Sequence, residues 1–168
     1  MGRGAPADAR AGGRTLIGVI SDTHGLLRPE ALEALRGVEA IVHAGDVGRP
    51  DILEELRGIA PVTAVHGNVD RGALIRDLPS TAILDAGGAS IYVLHDLAQL
   101  DLNPRAAGFG VVVSGHTHAP VIREKDGVLY LNPGSAGPRR FDLPVSIAML
   151  TVVDGAPSAA IIELPIAP

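Results

Sequence analysis

Side chains suited to metal binding recur in short polar steps along this chain: Asp22 and His24, then Asp46, Asn68 and His95, and finally His116 with His118. Carboxylate, imidazole and amide oxygen together suit Mn, Fe, Zn, Ni or Co at neutral pH. The sequence has no cysteine, which excludes disulfides, zinc fingers and thiol nucleophiles and limits a metal site to oxygen and nitrogen donors. Seven such ligands oversupply one ion and serve two well. A two-ion site usually shares an oxygen donor, and Asp46, in the middle of the set, is the natural bridge. Spacing by two within Asp22/His24 and within His116/His118 places both side chains of a pair on one side of an extended backbone. Each pair is therefore expected to converge on one centre.

Most of these residues follow strand-like runs. Thr15–Ile20 is β-branched and aliphatic and ends at Ser21-Asp22-Thr23-His24-Gly25, Ala40–His43 ends at Gly45-Asp46, and Pro61–Val65 ends at Gly67-Asn68. Val111–Val113 ends at Ser114-Gly115-His116-Thr117-His118. Pro29 opens a helical stretch through Arg36, with Leu32 and Leu35 on one face and Gly37 closing it; Pro50 opens a second through Arg57, stopped by Gly58. Strands separated by helices imply parallel pairing, with the C-terminal strand ends aligned along one edge where polar residues can form a site. From Ser80 onward the texture is of strands joined by tight turns at Gly87-Gly88, Asp126-Gly127 and Asp154-Gly155. The expected fold is α/β: two packed mixed β-sheets, a β-sandwich flanked by α-helices, with one sheet partly parallel and the other largely antiparallel. Residues 1–13, rich in Gly, Ala and Arg and without an apolar h-region, read as a disordered tail, and residues 14–168 as a single domain.

Composition narrows the function. Apolar residues make up 46% of the 168, and with two Phe, two Tyr and no Trp the core must be built from Val, Ile, Leu and Ala. A net charge of −5 and a pI of 5.6 argue against a surface that grips long nucleic acid. A small anionic ligand remains compatible, because bound cations reverse the local field. No apolar run approaches about 18 residues, so the expectation is a cytoplasmic protein without a membrane span, free to form homo-oligomers.

The motifs Asp22-Thr23-His24, Gly45-Asp46, Gly67-Asn68, His95, Gly115-His116-Thr117-His118 and Asn132-Pro133-Gly134-Ser135, in this order, resemble the calcineurin-like metallophosphoesterases, especially their small bacterial and archaeal phosphodiesterase branch. The resemblance runs from Thr15 to about Leu164. It implies two divalent metal ions per chain, Mn first and Ni, Fe, Co or Zn as alternatives. Ion one would be held by Asp22, His24, Asp46 and His118, and ion two by Asp46, Asn68, His95 and His116, with Asp46, Asn68 and His95 serving catalysis. The implied activity is hydrolysis of small phosphodiesters, with activated monoesters as further substrates, by in-line attack of a hydroxide bridging the ions. Charge is the physical reason: a phosphodiester repels hydroxide, and two cations ~3.5–4 Å apart neutralise the phosphate oxygens and acidify water.

The chain departs from the family at two places. Larger members follow Gly-Asn with a histidine that protonates the leaving oxygen or holds the phosphate, whereas Val69 stands here and can do neither; His95 is followed by Asp96 where Gly is common. His66 is a candidate substitute acid. His43, inside its strand, reads as a hydrogen-bonded interior residue rather than a ligand. Asp70 either supports a ligand imidazole or caps the following turn, Asn132–Ser135 reads as a structural loop beneath the site, and Arg139-Arg140 is a solvated pair or a phosphate clamp. The same fold serves a eukaryotic retromer subunit regarded chiefly as a binding component, so a metal-binding scaffold is the alternative function.

Overall fold

The computed structural model describes residues 2–3 and 13–167. Residues 4–12, most of the expected tail, lie outside the described residues, while β1 (Gly2–Arg3) pairs in parallel with β5 (Thr81–Ala86). The three parallel strands anticipated near the N-terminus are β2 (Arg14–Ile20), β3 (Ala40–His43) and β4 (Val62–Ala64), linked by α1 (Pro29–Ala34) and α2 (Pro50–Arg57). Proline stands at the start of both helices, where its missing N–H costs nothing and its fixed φ is already helical. A short helix α3 (Ala73–Asp77), which no capping side chain announces, follows β4.

Two long strands complete the first sheet, β10 (Ser146–Val153) and β11 (Ala156–Glu163), in the order β11-β10-β2-β3-β4, with antiparallel pairing at β10 and parallel pairing at β3. The second sheet adds β6 (Ala89–Leu94), β7 (Val111–Val113), β8 (Val121–Lys125) and β9 (Val128–Asn132) in the order β1-β5-β6-β7-β9-β8. It is mixed rather than largely antiparallel, because β7 runs parallel to both β6 and β9. The run of residues 95–110, which contains only one 3-10 turn, carries the chain back across the sheet and makes that parallel entry possible. The three hairpin turns have two-residue loops with φ positive at both positions: 60° and 87° at Gly87-Gly88, 52° and 76° at Asp126-Gly127, and 49° and 80° at Asp154-Gly155. That backbone twist matches the flanking strands.

Side-chain alternation sorts the core into layers. Ile17, Val19, Val42 and Leu150 point from the first sheet into the sandwich and meet Leu84, Ile91, Val93 and Val111 of the second. The intervening Ile20, Ile41 and Ile147 point outward against Leu35 of the α1 region and Ile52 and Leu56 of α2. Strands buried on both faces read as continuous aliphatic runs for this reason. The outer face of the second sheet, with Ile83, Tyr92 and Val112, is packed by Leu100, Leu102 and Phe109 from the long loop instead of a helix. No helix among the described residues is long and apolar enough to cross a membrane.

Candidate metal centre

Parallel pairing of β2 with β3 brings the first two polar loops out side by side, and their backbones stay paired beyond the strands. Asp22 N–H donates to Gly45 O (3.0 Å), His24 N–H to Asp46 O (2.9 Å) and Gly25 N–H to Val47 O (2.9 Å). Across the sandwich, Gly115 N–H donates to His95 O (2.9 Å), so the loop after β7 hangs from the end of β6.

The expectation of an extended backbone at the spaced pairs is overturned. Asp22, His24, Asp46, His116 and His118 all have left-handed backbones, with φ of 55°, 46°, 53°, 71° and 64°. Such conformations are unfavourable for residues with a Cβ and concentrate where surrounding structure enforces a functional geometry. The consequence is largest at His116 and His118, whose side chains part company instead of converging.

One group contains Asp22, His24 and His118. His24 Nε2 and His118 Nε2 lie 3.1 Å apart, and Asp22 Oδ1 is 3.6 Å and 3.3 Å from them. The other contains Asp46, Asn68, His95 and His116. His95 Nε2 is 3.1 Å from Asp46 Oδ2 and 3.0 Å from Asn68 Oδ1, and His116 Nδ1 is 3.1 Å from Asn68 Oδ1. Asp46 Oδ2 also lies 3.8 Å from His24 Nε2, so a single oxygen faces both groups.

These spacings fit metal ions. Donors ~2.0–2.1 Å from one ion at tetrahedral or octahedral angles lie about 2.9–3.4 Å from each other. Asp22 Oδ1 is buried without a hydrogen-bond partner although it points at two imidazole nitrogens. His95 Nδ1, 2.7 Å from Ala44 O, donates its proton there, which turns Nε2 towards two acceptor oxygens. Such an arrangement calls for a cation between them.

Both buried carboxylates keep their charge and make the field at the site negative. Burial penalises the charged form of Asp46, yet the contacts with His95, the Val69 N–H (3.0 Å) and nearby imidazole charge prevail, and its pKa lies below the ordinary value. Asp22 behaves alike: burial opposes ionisation, but His24, the Ser21 hydroxyl (2.6 Å), His95 and His118 hold its pKa down. Burial works against charging His95, but hydrogen bonds to Asp46 and Ala44 and the charges of Asp22 and Asp46 together raise its pKa. His118 goes down, through burial first and then the positive charges of Arg140 and His24.

The glycines of the motifs make room for ligands. A Cβ on Gly67 would sit 2.1 Å from Asp46 Oδ1, and one on Gly115 would sit 2.1 Å from Ser21 Oγ and 2.6 Å from Asp22 Oδ2. Each glycine precedes one candidate ligand and clears space for another.

Beneath the site, buried polar side chains tie the loops together. Asp70 accepts from Val47 N–H (3.2 Å), Gly48 N–H (3.0 Å) and Gly67 N–H (2.8 Å), so it supports backbone rather than an imidazole and joins the Asp46 loop to the Asn68 loop. Two of its three donors come from a distant segment, which left no local trace. Thr23 Oγ1 donates to Val47 O (2.8 Å) and so accepts from His43 Nε2–H (3.0 Å), while His43 Nδ1 accepts from Gly45 N–H (3.2 Å). His43 is thus neutral with both nitrogens engaged, and burial pushes its pKa down to about 4. Asn132 donates to Gly115 O (2.9 Å) and Ser135 Oγ to Asp22 O (2.9 Å), which makes that loop a clasp between two ligand loops.

Residues 16–155 match the calcineurin-like phosphoesterase superfamily domain. The chain belongs to that family. A "Probable metallophosphoesterase" of Methanothermobacter thermautotrophicus is 42% identical over 153 residues, which cover 83% of this chain and 87% of that protein. A phosphodiesterase of Methanocaldococcus jannaschii is 31% identical over 137 residues, covering 70% of this chain and 82% of that one. Vacuolar protein sorting 29 of Cryptosporidium parvum has the same fold, with a TM-score of 0.73 and 23% identity over 90% of this chain and 98% of that one.

Within this phosphoesterase fold, the remaining positions singled out in the sequence lie around the rim. Val69 is 44% exposed beside Asn68. His66 lines a cavity of about 450 Å³ together with Asn68, His95 and His116. Asp96 Oδ1 accepts from Ala98 N–H (3.0 Å), and its other oxygen is 3.9 Å from His116 Nε2. Arg139 and Arg140 are exposed, with the Arg140 charge bearing on His118.

Proposed function

We propose that this phosphoesterase hydrolyses small phosphodiesters, and activated monoesters more weakly, at a two-ion centre. Asp22, His24, Asp46 and His118 would hold one ion and Asp46, Asn68, His95 and His116 the other. The observation that carries the reading is Asp46 Oδ2, which approaches His24 Nε2 (3.8 Å) and His95 Nε2 (3.1 Å) from between the two groups. When bound, two divalent cations neutralise phosphate charge and lower the pKa of water. Manganese is the first choice of ion.

The chain's own residues do the rest. Asn68, a neutral ligand, leaves more positive charge for the phosphate than a second carboxylate would. The Ala44 carbonyl fixes the His95 ring with Nε2 inward. As the oxygen of water bonds to phosphorus in line, the bond from phosphorus to the departing alcohol breaks, and that alkoxide needs a proton. Val69 has none to give, so good leaving groups are favoured; general-acid help is typically worth about 10²–10⁴-fold. The relative named a phosphodiesterase supports diesters as the substrate class.

The test is elemental analysis of protein purified without chelator, paired with rates on bis(p-nitrophenyl) phosphate and on alkyl monoesters. Two ions per chain and faster diester cleavage are expected; at most one ion under metal-replete conditions overturns the two-ion reading. Val69→His should then raise turnover on poor leaving groups more than on good ones. A binding scaffold is the second reading, favoured by Val69 standing where larger members keep a proton donor. Fully metallated wild type and Val69→His that cleave no phosphate ester would favour it over hydrolysis.

A further inference from the structure

The cavity beside His95 and His116 has a charge character that the proposed hydrolysis does not by itself require. Beyond the ligands, its wall contains Asp96 and Asp101, the polar Ser80, Thr81 and Gln99, and the aromatic Tyr92. Among the described residues, no lysine or arginine lines it. Asp96 is pinned by the Ala98 N–H at the start of a 3-10 turn, which keeps its carboxylate at the cavity edge. Asp101 and Gln99 are exposed, on the open side.

The other flank of the centre has the opposite sign. Arg28 donates to Gly137 O (3.1 Å), next to the Asp22–His24 loop, and the Arg140 charge reaches His118. A substrate lying across both flanks therefore meets arginine at one end and carboxylate at the other. A volume of about 450 Å³ lies within the ordinary range for a small organic group and is far too small for a polymer. His66, an imidazole outside the two ligand groups, stands in the cavity wall.

We propose that this cavity receives the leaving alcohol of the diester and that Asp96 and Asp101 select neutral or cationic alcohols over those bearing a further anionic group. The assignment rests on the phosphodiesterase reading. Ser80, Thr81 and Gln99 supply hydrogen bonds to the alcohol's own polar groups, and Tyr92 supplies an apolar wall. Away from the ion that Asn68, His95 and His116 would hold, a second phosphate or a sulfonate is repelled by two carboxylates, with no lysine or arginine in the wall to answer it.

Three aryl methyl phosphodiesters, their rates corrected for the acidity of each leaving phenol by a series of neutral aryl esters, decide the matter: one neutral (4-cyanophenyl), one cationic (3-trimethylammoniophenyl) and one anionic (4-sulfophenyl). At low salt, kcat/KM is expected to fall by about tenfold or more from the neutral to the anionic ester, with the cationic ester at least equal to the neutral one. Rising ionic strength should shrink the gap, since exposed charges are screened over about 10 Å at 0.1 M salt. Asp101→Asn should narrow it and Asp101→Lys should invert it. Equal kcat/KM for all three esters, unchanged by either substitution, overturns the proposal. Calorimetric titration of the same esters into Mn-loaded protein reads the order independently of turnover. If no ester is cleaved, the phosphodiesterase reading fails, and equal Kd values then refute the cavity's selectivity while the expected order in Kd supports it.

Discussion

The two halves of the centre are built from the same kinds of side chain but sit in different surroundings. Asp22 and His118 are buried, and His24 is largely covered. In the other half Asp46 and His95 are buried, but Asn68 and His116 are exposed at the mouth of the cavity. The first half is closed by the Asn132–Ser135 clasp and by Thr23 with His43, whereas the second opens towards Asp96 and His66. A covered set of ligands holds its charge in place, and an open set leaves coordination positions for a substrate. On the two-ion reading proposed above, the first half would anchor its ion and the second would meet the phosphate, with Asp46 belonging to both.

Removing the shared oxygen tests this most severely. Asp46→Ala is expected to weaken both ions by more than the ~10–100-fold that loss of an outer-sphere hydrogen bond produces. His24→Ala should chiefly weaken one. Calorimetric Mn titrations of the three proteins make the comparison, and full occupancy in Asp46→Ala would remove the bridge.

Asp70→Asn acts on the second half through its backbone. An amide cannot accept from all three N–H groups that Asp70 now satisfies, so about 1–3 kcal/mol of stability should go. Ion binding in the half containing Asn68 should weaken by about 10–100-fold, more than in the half containing His24. Equal losses in both halves would mean that the loops are not mechanically separable.

An effect of similar size concerns acid, through His43, which bonds Thr23 of the first half and Gly45 just before Asp46. His43 keeps its proton off down to about pH 4 in the folded protein, against an ordinary value of 6.5. The unfolded chain therefore takes up that proton first, and the stability supplied by neutral His43 is present above pH 6.5 and lost as pH falls towards 4. From pH 7 to pH 5 the loss is roughly 2 kcal/mol at one pKa unit per 1.36 kcal/mol. His43→Gln, measured by urea unfolding of chelator-treated protein, should show a shallower decline than wild type over that interval. Parallel declines would show that His43 protonation does not control the acid response.

Much of this was legible beforehand, and the failures have a common cause. The helix Pro50–Arg57 matched the reading residue for residue because proline and glycine punctuate it locally. The three hairpins were legible because a two-residue turn demands φ above zero at both positions, and Gly-Gly and Asp-Gly announce that. The spacing rule for His116 and His118 failed because it assumes extended backbone, and both residues are left-handed. The cavity's acidic wall was missed because Asp96, Asp101 and Ser80 come from two separate segments with no shared pattern.

The sequence by itself determined the types and order of the metal-binding side chains, the apolar runs that carry several of them to strand ends, and the glycines beside them. Those properties are local: they follow from ligand chemistry, side-chain period and the space one residue needs. The split of His118 towards Asp22 and His24 and of His116 towards Asn68 was implied by the family resemblance but not by residue spacing, and only the tertiary structure decided the left-handed backbones that produce it and the bonds of Asp70 to the backbones of two loops. Those facts depend on how two sheets stack and on left-handed turns held by contacts from distant segments, and no local rule encodes contacts of that range.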